Sequence, residues 1–195
     1  METIHFRITG TAPLLMNKDT LADPLHALTK EHKALTIKKK KTDEDHEAIS
    51  RSEWKACLYW DDEIGIYISA EAVEAVMRNA AKRQRMGQTF RTAVLVLESK
   101  IPLVYDGPKD WRELIKDPRF VDRRPIKQRN VRVLKTRPRF DKWGFEVTVM
   151  YDPELINKRE VISALEQGGR ICGLLDWRPR YGQFEVEVIP NGRVK

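Results

Sequence analysis

Twice along this chain an apolar alternation of period two gives way to a helical stripe and then returns, and no other feature constrains the fold as strongly. In the first round Ile4, Phe6 and Ile8 alternate with His5, Arg7 and Thr9, the pattern of a half-buried strand closed by the turn signals Gly10 and Pro13. Ser69 then stands as the cap of a helix whose Val73, Val76, Met77, Ala80 and Ala81 form one buried stripe. Residues 93–97 and 101–105 read as strands. In the second round Phe145, Val147 and Val149 share one face of a strand ended by Asp152 and Pro153. Asn157 and Glu160 make a capping box for a helix presenting Val161, Ile162 and Leu165, which Gly168 and Gly169 offer to stop. Phe184, Val186 and Val188 alternate with Glu185 and Glu187 as a last strand. Two rounds of strand, helix and strand predict an α+β chain with a ferredoxin-like β-α-β-β-α-β antiparallel sheet, two backing helices and inserted loops. A doubly wound parallel sheet is disfavoured, because only two convincing helices serve about six strands.

A chain of 195 residues can bury a proper core, and the expected organisation is a single elaborated domain over residues 1–195. It carries a charged insertion at about 18–52 and a basic insertion at about 106–139. In the first insertion Lys38, Lys39, Lys40 and Lys41 are followed by Asp43, Glu44 and Asp45, a pairing of blocks that reads as a solvated, partly helical loop. Cys57 and Cys172 stand far apart in no metal or redox spacing, so buried or idle thiols are expected. No stretch approaches about 18 apolar residues and the start lacks the pattern of a signal peptide, which together lead one to expect a cytoplasmic protein without a membrane partner.

Lys and Arg number 36 against 29 Asp and Glu, a formal charge of +7 that draws the chain towards polyanions. The surplus is concentrated. Between residues 119 and 139 lie Arg119, Arg123, Arg124, Lys127, Arg129, Arg132, Lys135, Arg137 and Arg139, with Asp122 as the sole acid. A solvated face normally mixes signs, whereas guanidinium groups fork onto phosphate oxygens and stack on bases. Phe120, Phe140 and Trp143 near the ends of the segment complete the cation-and-aromatic mixture of a single-strand groove. A second candidate patch is the glycine-rich stretch 168–184, where Arg170, Arg178 and Arg180 supply phosphate contacts and Trp177 and Tyr181 supply ring faces.

The opening IHFRITGTAPLLMN, the helix SAEAVEAVMRNAAKR with its following strand and IPLVYDGP, and above all GLLDWRPRYGQFEVEVI resemble the repeat-associated mysterious protein superfamily. That superfamily includes backbone subunits of CRISPR effector complexes and related phage proteins. The resemblance covers most of the chain outside residues 18–52 and about 106–130. It implies an RNA-recognition-type fold that binds single-stranded RNA or DNA, commonly as a homo-oligomer along the strand or within a larger nucleoprotein assembly.

Catalytic readings are weaker. His5 sits in the first strand, and His26, His32 and His46 sit in the charged insertion with neither metal spacing nor a base partner. Asp61, Asp62 and Glu63 read as a turn rather than a metal site. No phosphate-binding glycine loop, zinc-protease motif or nucleophile elbow is present, so neither cofactor nor metal is expected. The expected function is non-catalytic single-strand binding. The alternatives are a metal-independent endoribonuclease and a protein-binding module that mimics or blocks a nucleic-acid complex.

Overall fold

The computed structural model describes residues 1–128 and 130–190, without the side chain of Gln128. The architecture is α+β with antiparallel sheets. In chain order come β1 (Glu2–Gly10), β2 (Leu14–Leu15), α1 (Ala27–Thr36) and α2 (Asp43–Cys57). Next are β3 (Trp60–Asp61), β4 (Gly65–Ser69), α3 (Ala70–Ala81), α4 (Gly87–Ala93), β5 (Val94–Val96), β6 (Lys100–Pro102) and β7 (Val104–Tyr105). Then follow α5 (Trp111–Leu114), β8 (Val121–Gln128), β9 (Val131–Phe140), β10 (Trp143–Tyr151), α6 (Lys158–Gln167) and β11 (Phe184–Ile189). Among the described residues no helix is long and apolar enough to cross a membrane. The chain divides into two compact units, one of residues 1–14, 60–106 and 141 onward, the other of residues 15–59 and 107–140.

In the first unit the strands lie in the order β11-β1-β10-β5, all antiparallel, with β7 also pairing β10. The register sets Ile4, Phe6 and Ile8 opposite Val149, Val147 and Phe145, so the alternation read from the sequence becomes one apolar sheet face. The stripe of α3 is buried as expected; in α6 Val161 and Leu165 are buried with Ala164 while Ile162 is half-buried, and the two helices pack on each other. Each fully buried Val, Leu or Met of these stripes stabilises the fold by about 1.5–3 kcal/mol, and each alanine by less. Local details differ from expectation. Ser69 takes the cap position in extended conformation, yet its hydroxyl makes no capping bond. Gly168 and Gly169 do not stop α6; the backbone widens into a π turn through Cys172, and a Cβ on Gly168 would lie 2.4 Å from Val76 Cγ1. Residues 101–105 are not one strand but two, because β6 pairs β4 while β7 turns to β10.

Asp61, Asp62 and Glu63 form the expected turn. Asp61 Oδ1 accepts the backbone N–H of Glu63 at 3.0 Å and of Ile64 at 3.1 Å, and its carboxylate pairs with Lys100. The Lys100 ammonium, assisted by those two N–H groups, holds the Asp61 carboxyl down to about 2. A depressed carboxylate contributes stability above its unfolded pKa and loses it as pH falls through the folded value. Followed by NMR, Asp61 should therefore titrate near 2, and Lys100→Met should return it towards about 3.9. An unchanged value in the variant would dissociate the shift from Lys100.

The second unit is built from the stretches set apart in the sequence as insertions. The expected loop over 18–52 is mostly helical, and the charge reversal that suggested solvation is a helix start. Thr42 and Asp45 form a capping box, Asp43, Glu44 and Asp45 occupy the first turn at the positive end of the helix dipole, and Lys38 pairs with Asp45 at 2.5 Å. From α2, Ser52, Trp54, Ala56 and Cys57 are buried, and the helix packs on β9. The Trp54 indole N–H donates to the Phe120 carbonyl at 2.9 Å. Glu53 accepts the Thr136 N–H at 2.7 Å and pairs with Lys135 at 3.1 Å. Burial pushes the Cys57 thiol up to about 11, so it is an inert core group.

Candidate nucleic-acid interface

The basic stretch is a β-hairpin. Residues opposite one another in β8 and β9 share a face, and the register pairs Arg123 with Thr136, Pro125 with Leu134, and Lys127 with Arg132. One face therefore carries the exposed cations Arg123, Lys127 and Arg132, with Pro125 and the half-exposed Leu134 between them. None of these three cations has a carboxylate partner among the described residues. Val131, near the outer end of β9, is 63 % exposed.

The other face spends its charge internally. Asp122 stands opposite Arg137, and both are buried, Arg137 to 2 % exposure. Arg124 is bound to Asp122, and Lys135 to Glu53. Arg139 is half-buried. Arg119 lies before the hairpin on a short 3-10 turn, paired with Asp117 at 2.7 Å and set over the Phe120 ring at 5.6 Å. Arg129 falls outside the described residues. Phe120, Phe140 and Trp143, read from the sequence as groove aromatics, are all buried. Phe120 and Phe140 pack 5.7 Å apart in the second unit, and Trp143 in the first donates its indole N–H to the Ala12 carbonyl at 2.8 Å. They are core anchors and cannot stack on a base. The apolar rungs of the hairpin were missed; Ile126, Val131 and Val133 flanking the turn-former Asn130 are the signal that could have revealed two strands.

The glycine-rich patch belongs to the first unit. After the π turn, Gly173 and Gly182 both adopt φ of +72°, a region that a side chain resists, and the Leu174 N–H donates to the Gly182 carbonyl at 2.8 Å to close a narrow neck. Beyond the neck, Arg178 and Arg180 are exposed, Trp177 is 37 % exposed and Tyr181 is half-buried. The two rings stand 6.0 Å apart and tilted. Leu175 and Trp177 are themselves left-handed, with φ of 58° and 55°, a strain of order 1–3 kcal/mol each that the closed neck sustains. Arg170 is exposed on the π turn. The structure thus brings the two rings together beyond the neck, with exposed Arg178 and Arg180 in the same loop, while Arg170 lies before the neck.

The sheet face turned away from α3 and α6 is of a different character. Arg7 lies between Glu146 and Glu187, bonded to each at 3.0 Å, and Glu185 stands opposite Thr9. Acids outnumber bases among the paired residues of that face, and its ring from β1 is His5, bonded to the Thr148 hydroxyl, so the face is poorly suited to following a polyanion.

Among the described residues no cluster of His, Cys, Asp and Glu could hold a metal ion. His5 Nδ1 lies 3.1 Å from the Thr148 hydroxyl, His26 caps α1 by accepting the Leu28 N–H at 3.2 Å, and His46 is exposed on α2. His32 Nδ1 lies 3.3 Å from the Ser52 hydroxyl, with burial lowering its pKa. Ser52, His32 and the neighbouring Glu53 do not form a charge relay, since Glu53 is committed to Thr136 and Lys135 and Ser52 is buried. Neither a protein-family model nor a curated protein matches the chain.

Proposed function

We propose that this protein binds single-stranded nucleic acid, RNA or DNA, without cutting it. The observation that carries the reading is the β8–β9 hairpin face on which Arg123, Lys127 and Arg132 stand exposed and, among the described residues, without carboxylate partners beside apolar Pro125 and Leu134. Cations at strand spacing can follow successive phosphates, and the apolar rungs between them offer contact to bases without sequence preference. Within the first unit, Arg178, Arg180 and the ring pair Trp177 and Tyr181 offer the same kinds of group. The order β11-β1-β10-β5, with α3 after β1 and α6 after β10, supports the ferredoxin-like assignment, as does the resemblance to the repeat-associated mysterious protein superfamily. On this reading the acidic sheet face is kept from the strand, and a cytoplasmic homo-oligomer assembled along the nucleic acid is the working form.

The test is the salt dependence of binding to a labelled, unstructured oligonucleotide. Three phosphate contacts from the hairpin contribute about 2 to the log–log slope, at about 0.7 each for a single strand. A flat response would remove the proposal, and specific cleavage of the strand would replace it with the endoribonuclease reading.

A further inference from the structure

A second cationic site lies outside the hairpin and the glycine-rich loop. Arg78 in the last turn of α3 and Lys82 at its C-cap stand four residues apart along the same side, and Gln88 and Arg91, three apart, share one face of α4. With Arg85 from the connection and Gly87 at the start of α4 they line a concavity of about 620 Å³. Among the described residues four cations and no carboxylate line this space.

Local structure keeps the charges unneutralised. Glu74, one helical turn before Arg78 and its natural ion-pair partner, instead accepts the Val96 N–H at 3.0 Å. Lys82 donates to the neutral Asn79 side chain at 3.0 Å. No carboxylate lies within ion-pair distance of any of the four cations among the described residues. Arg85 is left-handed, with φ of 61°, at the end of the helical stretch, where glycine or asparagine is the favoured residue. The chain places a guanidinium where a glycine would fold more easily. At Gly87 a Cβ would come 2.8 Å from Lys82 Cγ, so the absence of a side chain lets the lysine stem lie along the floor. Like charges gathered in a concavity repel one another and focus a positive potential, and an anion with several oxygens relieves both. Guanidinium and ammonium groups are the donors that phosphate oxygens accept from, and the space is larger than a single phosphate group.

We propose that the α3–α4 corner is a phosphate-binding site, whose ligand is a phosphate group carried by a nucleic-acid backbone or by a small phosphorylated molecule. It does not depend on the hairpin. Two probes separate the sources: inorganic pyrophosphate, followed through the backbone amide resonances of Gly87 and Gln88, and an unstructured oligonucleotide, followed by anisotropy. Pyrophosphate is expected to shift those amides saturably, and Arg78→Gln with Arg91→Gln to weaken that binding at least about tenfold, as removal of two charge-assisted contacts requires. If backbone phosphates are the ligand, the same variant also lowers the oligonucleotide salt slope by about 1.4. If a small molecule is the ligand, pyrophosphate binding falls while oligonucleotide binding is unchanged. Arg85→Gly guards against misfolding, because it removes a cation while relaxing the backbone; it should leave thermal stability intact and still weaken binding. Variants that match the parent towards both probes overturn the site. A hairpin variant carrying Arg123→Gln, Lys127→Gln and Arg132→Gln tests the proposed function separately, so either idea can fail alone.

Discussion

Replacing Arg123, Lys127 and Arg132 together by glutamine should weaken binding of an unstructured single strand about fifty-fold at about 0.15 M salt. Three phosphate contacts at about 0.7 each give a slope near 2.1, and counterion release at that concentration contributes the corresponding 1.7 or so decades of affinity. The loss should shrink as salt rises. Thermal stability should be unchanged, because the three side chains are exposed and form no ion pair among the described residues. Arg124→Gln makes the contrasting control on the opposite face. It removes the ion-pair partner of buried Asp122 while buried Arg137 still stands opposite, so its effect should appear in stability, at about 1–3 kcal/mol, rather than in binding. A triple variant that binds as tightly as the parent would exclude the hairpin from the interface.

Trp54→Ala should destabilise the protein by about 3–5 kcal/mol, the range for removing a large aromatic from a packed interior. Trp54 is fully buried, and its indole N–H satisfies the Phe120 carbonyl, so the substitution opens a cavity and strands a buried acceptor. Trp54→Phe separates the two contributions, since it retains most of the volume and loses only the hydrogen bond. Its cost should be about 1–3 kcal/mol. Denaturant unfolding of both variants measures the difference. A loss below about 1 kcal/mol for Trp54→Ala would mean that α2 does not anchor the second unit.

The first unit was largely legible in the sequence because its elements bury one face each. Ile4, Phe6 and Ile8 can satisfy that demand only as a strand, and Val73, Val76, Met77, Ala80 and Ala81 only as a helix. The second unit was opaque for the opposite reason. The face of α2 combines Ser52, Trp54, Ala56 and Cys57, a mixture of polar and small residues with no clear apolar stripe, and its acidic first turn resembles the sequence of a loop. The hairpin was legible as charge but not as structure. Composition cannot reveal that pleating separates Arg123, Lys127 and Arg132 from Arg124, Lys135 and Arg137, nor that Asp117, Asp122 and Glu53 neutralise part of the run. The concavity at Arg78, Lys82 and Arg85 and the diversion of Glu74 to the Val96 N–H are products of the fold rather than of any local pattern.

The second unit is assembled from residues 15–59 and 107–140, and this split dictates an order of events on the ribosome. When α2 emerges, the β9 strand that covers it and the Phe120 carbonyl that receives the Trp54 indole have not yet been synthesised. At about 5–20 residues per second, residues 60–140 take roughly 4–16 s to follow. During that interval the nascent chain presents an uncovered aromatic side chain, a natural point of engagement for chaperones and of premature association between neighbouring nascent chains.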